Sequence, residues 1–184
     1  MHIRFSSCIG LPLMEEGTDN SVIGLLSGIL IHPDTGAIEG FFLHSRMSLF
    51  VSSLDISRWG TRVYVRNADV VAPIEDRIRL QPLLEDTRTV LGQKILSESG
   101  TRLGRCKDIQ FNTDTMHIEW IFPRKLFRWG VALPVSEILE VRPDAIVVKD
   151  RLKAEPQVRS REKPSSYTDI SEPSLAGRVS HRRK

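Results

Sequence analysis

Residues 24–42, GLLSGILIHPDTGAIEGFF, and residues 104–122, GRCKDIQFNTDTMHIEWIF, are two versions of one pattern. Gly24 meets Gly104, Ile29 meets Ile109, Asp34-Thr35 meet Asp114-Thr115, and Ile38-Glu39 meet Ile118-Glu119. The match extends upstream, where EEGT at 15–18 faces ESGT at 98–101. Read by residue identity it also extends downstream. Leu49-Phe50 match Leu126-Phe127, Arg58-Trp59-Gly60 match Arg128-Trp129-Gly130, and Asp76 and Ile78 match Asp144 and Ile146. On this reading the first repeat carries insertions between its matched blocks, as loops do around a fixed set of strands. A unit of this size written twice makes a tandem pair of small domains, not a solenoid.

Each unit reads as short strands. SGILIH and KDIQFN alternate small or polar residues with Ile, Leu or Phe, the period of a half-buried strand. AIEGFFL and HIEWIF continue on the far side of a turn. Between the first pair, HPDTG supplies Pro, Asp and a glycine for a left-handed residue, which is a hairpin signal. The second turn places Met116 at the Gly36 position, where positive φ is costly for a side chain, so a rearranged turn is expected there. The stretches RVYV, VVAP, VALP, ILEV and AIVVKD read as further strands, and PVSEIL as one helical turn. No long segment holds apolar residues at helical spacing. The fold class expected is all-β, with two tandem small antiparallel barrels of about five or six strands each, at 8–82 and 90–150.

The second unit carries a resemblance. GTRLGRCKDIQFNTDT followed by VALPVSEILEVRPDAIVV is similar to the PRC-barrel family, found in the photosynthetic reaction-centre H subunit and in the C-terminal half of a ribosome maturation factor. The first unit departs by a longer middle loop, Ser45 to Ser57. The resemblance implies a small barrel and a role in binding other proteins, sometimes in RNA metabolism or ribosome maturation. It transfers no catalytic residue and no cofactor.

The charge is uneven. Residues 151–184 hold nine Lys/Arg against four Asp/Glu, while the remaining residues hold 17 against 19. The basicity behind a pI of about 9.1 therefore belongs to the tail and not to a nucleic-acid face on the fold. The tail is rich in Pro, Ser and charge and poor in large apolar residues, so it is expected to be disordered. No apolar run approaches the roughly 20 residues that span a bilayer. The N-terminus lacks the apolar core of a secretory signal, and a cytoplasmic location is expected. Cys8 and Cys106 have no second cysteine or histidine at metal-ligand spacing and are expected as buried reduced thiols.

No phosphate-binding, dinucleotide-binding or nucleophile-elbow motif occurs, so no catalytic residues, metal or cofactor are assigned and a non-enzyme is expected. His32 and His117 flank turns; Asp34, Asp114, Glu39 and Glu119 recur in both units, which favours a role in the fold. The distinctive candidate is PRKLFRWG at 123–130. There Arg124, Lys125 and Arg128 interleave with Phe127 and Trp129, a composition suited to partner hot spots and to nucleic-acid stacking. A protein partner, or RNA or a ribosome, follows as the expected ligand. A peripheral membrane-complex scaffold is the alternative. The two Arg-Trp-Gly triplets are expected as equivalent structural corners, each Trp covering a barrel rim.

Overall fold

The computed structural model describes residues 1–17, 21–45 and 48–150; the tail expected to be disordered, 151–184, lies outside them. The first part of the chain contributes β1 (His2–Arg4), β2 (Pro12–Glu15), β3 (Val22–Ile31), β4 (Ile38–Leu43), β5 (Leu49–Ser52), β6 (Ile56–Arg58), β7 (Val63–Val65) and β8 (Ala72–Pro73), then a short helix, α1 (Gln81–Glu85). The second contributes β9 (Lys94–Ser97), β10 (Arg102–Asn112), β11 (His117–Lys125), β12 (Arg128–Trp129), β13 (Leu133–Pro134), β14 (Ile138–Val141) and β15 (Ala145–Val148). The chain is mostly β, as the alternation predicts.

Two sheets form. The first runs β6-β7-β2-β3-β4-β5-β8 and the second β12-β11-β10-β9-β15-β14, with β13 also on β11 and β1 on β10. Both use the same wiring. β2 pairs parallel with β7, as β9 does with β15, and every other pair is antiparallel. Instead of two closed barrels, the described residues give two open hydrogen-bonded paths. In the first, β5, the strand next to the end strand β8, runs through the 3-10 turn Ser53–Asp55 into β6 at the far end of the path; in the second, β13, paired off the path on β11, runs through Val135–Glu137 into β14 at the far end. Ser52 caps the first of these turns, its hydroxyl accepting from the Leu54 N–H at 3.4 Å.

The bulges date the repeat more securely than residue identity does. The β3–β4 ladder slips at Leu26/Gly28 and Leu30/Ile31, and β10–β11 slips at Cys106/Asp108 and Gln110/Phe111. The β6–β7 hairpin slips at Ile56/Arg58 and β14–β15 at Ile138/Glu140. Bulges are geometric features that families keep. The spacing is therefore 80 residues through the long hairpins and 82 beyond them. This corrects the downstream half of the sequence match. Leu49-Phe50 correspond to Val131-Ala132, and Arg58-Trp59 to Glu140-Val141. The two Arg-Trp-Gly triplets are not equivalent. Arg58-Trp59 lie at the end of β6, whereas Arg128-Trp129 form β12, a strand with no counterpart among the described residues of the first repeat.

The two long hairpins meet at their turns. The Ile38 N–H donates to the Met116 carbonyl at 2.7 Å, and the Ile118 N–H donates to the Gly36 carbonyl at 3.0 Å, around an Ala37–His117 bridge. Each residue contacts the counterpart of its own contact, so the repeats are related as the halves of an isologous dimer are. The second turn is not rearranged. Met116 adopts φ +50° where Gly36 has +70°, and both close the same bond, to Asn112 and His32 carbonyls respectively, at 2.9 Å. The shared tertiary bonds hold Met116 in the conformation its side chain disfavours.

The described residues form one compact unit. One apolar cluster runs through both repeats, from Leu13, Phe41 and Val63 to Ile95, Phe111, Ile121 and Ile146. Trp59 sits in the seam: its ring makes edge contacts with Phe41 at 5.2 Å and Phe111 at 5.8 Å. It is thus a half-buried side chain packed against the core where the repeats meet, not a rim cover. The N-terminal segment crosses to the second sheet, where β1 pairs with the end of β10. The buried Asp108 carboxylate fixes it, accepting from the Ser6 N–H at 3.0 Å and the Ser6 hydroxyl at 2.7 Å.

Candidate functional site

The five residues singled out by sequence come together on one hairpin. Arg124 faces Trp129 and Lys125 faces Arg128 across β11–β12, and Leu126-Phe127 form the two-residue turn. This extension replaces the rim loop expected from sequence. Hairpin turns of this length favour Asn or Gly at positive φ. Here Leu126 takes φ +54°. Leu126 is 86% exposed and Phe127 89%, so the strained turn holds two aliphatic and aromatic side chains in water. The Arg124 guanidinium lies over the Trp129 ring at 5.3 Å, and Trp129 is 53% exposed.

The hairpin is continuous with a feature that sequence reasoning missed. Along β11, Ile121 and Pro123 point into the core while Trp120, Phe122 and Arg124 alternate to the outer face. The W-x-F-x-R spacing is the signal that could have shown it. From β1, the Arg4 guanidinium lies 4.0 Å from the centre of the Phe122 ring. Arg105 pairs in register with Arg124 and adds a further cation. The face thus carries Trp120, Phe122 and Trp129 among Arg4, Arg105 and Arg124, while the next rung, Lys125–Arg128, points to the other side of the hairpin.

The first repeat shows what such a face is like when covered. There the outer face holds Phe42 and Phe50, edge to face at 5.3 Å. Ile74 and Leu80, from the segment after β7, bury it in a second apolar cluster with Phe50 fully enclosed. The counterpart of Phe42 is Phe122. The counterparts of Gly40 and Phe50 are Trp120 and Ala132, so the large ring has moved from one strand to its neighbour. Gly40 cannot carry such a ring, because a Cβ there would stand 2.2 Å from the Val51 carbonyl oxygen and 2.4 Å from the Phe50 ring. Both repeats therefore build an aromatic pair outside the sheet. In the second, Trp120 remains 38% exposed and, among the described residues, no apolar segment lies over the pair.

A cleft of about 280 Å³ in the first repeat is the main rival. It is lined by His32, Asp34, Glu39, Arg79, Asp86 and Arg88. Its charges are already paired with each other. Arg88 donates to Asp34 at 2.5 Å and to Asp86 at 2.7 Å, and Arg79 to Glu39 at 3.4 Å. The hydrogen bonds from Arg88 hold both Asp34 and Asp86 below the usual carboxylate range and push the Arg88 guanidinium up in turn. This network ties the connection between repeats to the first turn. Cys8 and Cys106 are buried free thiols, each pushed up to about 12, by burial first and then by the Asp108 charge. Among the described residues no cluster of His, Cys, Asp and Glu could hold a metal ion, and no helix is long and apolar enough to cross a membrane.

No protein-family model matches the chain, and no curated protein matches it in sequence.

Proposed function

We propose that the chain is a non-enzymatic binding module, an adaptor for protein or ribonucleoprotein assembly, that works in the cytoplasm with the outer face of its second repeat. The observation that carries this reading is the aromatic pair Trp120–Phe122, over which no apolar segment lies among the described residues, where the equivalent pair of the first repeat is enclosed. Exposed apolar patches rimmed by charge mark interaction surfaces. Arg124, Lys125, Phe127, Arg128 and Trp129, on the adjoining hairpin, supply the Arg and Trp types enriched at hot spots. Each repeat is read as an open, incompletely closed barrel of the PRC type. A role in RNA metabolism rests on the family resemblance alone. The test is affinity purification from native cells with the wild-type chain and a Trp120→Ser/Phe127→Ser variant. The reading expects partners lost with the variant; identical recovery by both refutes it.

The peripheral-membrane alternative has one observation in its favour. The Leu126-Phe127 tip stands outermost, above a Lys–Arg rung, which is the depth order of an interfacial anchor. Flotation with vesicles of phosphatidylcholine and phosphatidylserine decides it: the alternative requires binding that Phe127→Ser abolishes.

A further inference from the structure

The binding-module reading leaves the partner's chemistry open, and the first repeat supplies a template for it. Its outer aromatic pair is covered by residues 74–85, which descend from β8 through two 3-10 turns into α1. Two aliphatic side chains six positions apart, Ile74 and Leu80, insert against Phe42 and Phe50. Between them stand Glu75, Asp76, Arg77, the exposed Ile78 and Arg79, and Glu85-Asp86 follow; Arg79 reaches back to Glu39 on β4. Resting on that reading, we propose that the outer face of the second repeat receives a partner's polypeptide segment of this same kind: two aliphatic anchors about six residues apart, flanked by acidic residues.

Charge sets the acidic part. The second face presents Arg4, Arg105 and Arg124, whereas Glu119, the counterpart of Glu39, is already bonded by His2 at 2.7 Å. The chain's own residues 151–184 carry nine basic against four acidic residues, the same sign as the face, and so are poorly matched to it. Geometry sets the polypeptide part. The face runs along β11 from Trp120 to the strand's end at Lys125, about 17 Å of extended strand, whereas a bilayer would reach only the tip. Stacked bases would need open ring faces, yet guanidinium groups already lie over Phe122 and Trp129. An aliphatic anchor needs only the ring edges and the gaps between rings.

The chain itself provides the probe, the peptide PIEDRIRLQPLLED, residues 73–86, with four acidic and two basic residues. Fluorescently labelled peptide is titrated with the full-length protein and followed by anisotropy. Saturable binding is expected, weakened by added salt. Alanine at the Ile74 or Leu80 position of the peptide should weaken it about tenfold each. A Trp120→Ser/Phe122→Ser protein, confirmed folded by circular dichroism, should lose binding at least tenfold. No binding by the wild-type protein overturns the proposal. So does binding that survives the double substitution, which would report exchange onto the first repeat. Parallel titrations with phosphatidylserine vesicles and with single-stranded RNA separate this proposal from the broader reading. If either binds in a Trp120- and Phe122-dependent way while the peptide does not, the module reading stands and the polypeptide class falls. If the double substitution changes no binding and no affinity-purified partner, both fall.

Discussion

Replacing Trp59 with alanine should cost far more than replacing Trp129, although the two stand in the same triplet. Trp59 contacts Phe41 from one repeat and Phe111 from the other, at 5.2 and 5.8 Å. Core aromatic-to-alanine changes cost about 3–5 kcal/mol. Trp59 is partly exposed, so the lower end, about 3 kcal/mol, applies. In a unit of this size that lowers the melting temperature by roughly 10 °C. Trp129 is 53% exposed and makes one ring–guanidinium contact at 5.3 Å. An exposed pair of this kind contributes about 0.5–1 kcal/mol, so Trp129→Ala should stay below about 1 kcal/mol. Urea unfolding followed by far-ultraviolet circular dichroism measures both without relying on the removed fluorophore. Equal losses, or a Trp59→Ala loss below about 1 kcal/mol, would refute the seam assignment and restore the two triplets as equivalent corners.

Four further outcomes follow from the same geometry. Leu126→Gly should stabilise the fold by about 1 kcal/mol by removing left-handed strain from a side chain with little packing to lose, while weakening partner binding; urea midpoints and the purification assay read the two effects. Gly40→Ala should destabilise by about 2 kcal/mol or more, because its Cβ has no room beside the Val51 carbonyl, whereas Trp120→Gly, at the equivalent exposed position, should cost about 1 kcal/mol. Cys8 and Cys106, raised to about 12 by burial, should resist iodoacetamide in the native state at mildly alkaline pH and react on unfolding, which mass spectrometry reports. Asp34 and Asp86 are held low by Arg88. Their contribution is present above the ordinary carboxylate range near pH 4 and is lost as pH falls through the depressed values. Arg88→Ala should therefore flatten the acid limb of a stability–pH curve, by a small amount because the pair is solvent-screened.

Much of this was legible in the residues, for physical reasons that also explain the rest. The duplicated hairpins showed because strand alternation and turn glycines are local. The downstream match failed because it followed identity at Trp-Gly and Leu-Phe pairs, whereas the structural equivalence lies in bulges and strand order, which leave little trace in side chains. Met116 misled because positive φ is costly locally, and the bonds to Gly36 and Ile38 that offset the cost come from 80 residues away. The hairpin at 124–129 was visible as composition. Trp120 and Phe122 were passed over because an aromatic on a strand is usually core. Only the position of Ile121 and Pro123, and the covered Phe42 of the first repeat, show that they face outward. The crossing of β1 into the second sheet had no sequence signal at all; it depends on Asp108, a buried carboxylate whose partner is Ser6.

The central claim is that the second repeat's outer aromatic face is where this chain meets its partner. A photo-crosslinking residue placed at Trp120 in native cells, with a second placed at Leu54, tests it directly, since Leu54 is exposed in the Ser53–Asp55 turn of the first repeat. The account predicts discrete polypeptide adducts from position 120 and none of them from position 54. No adduct at 120, or the same adducts from both positions, would contradict it.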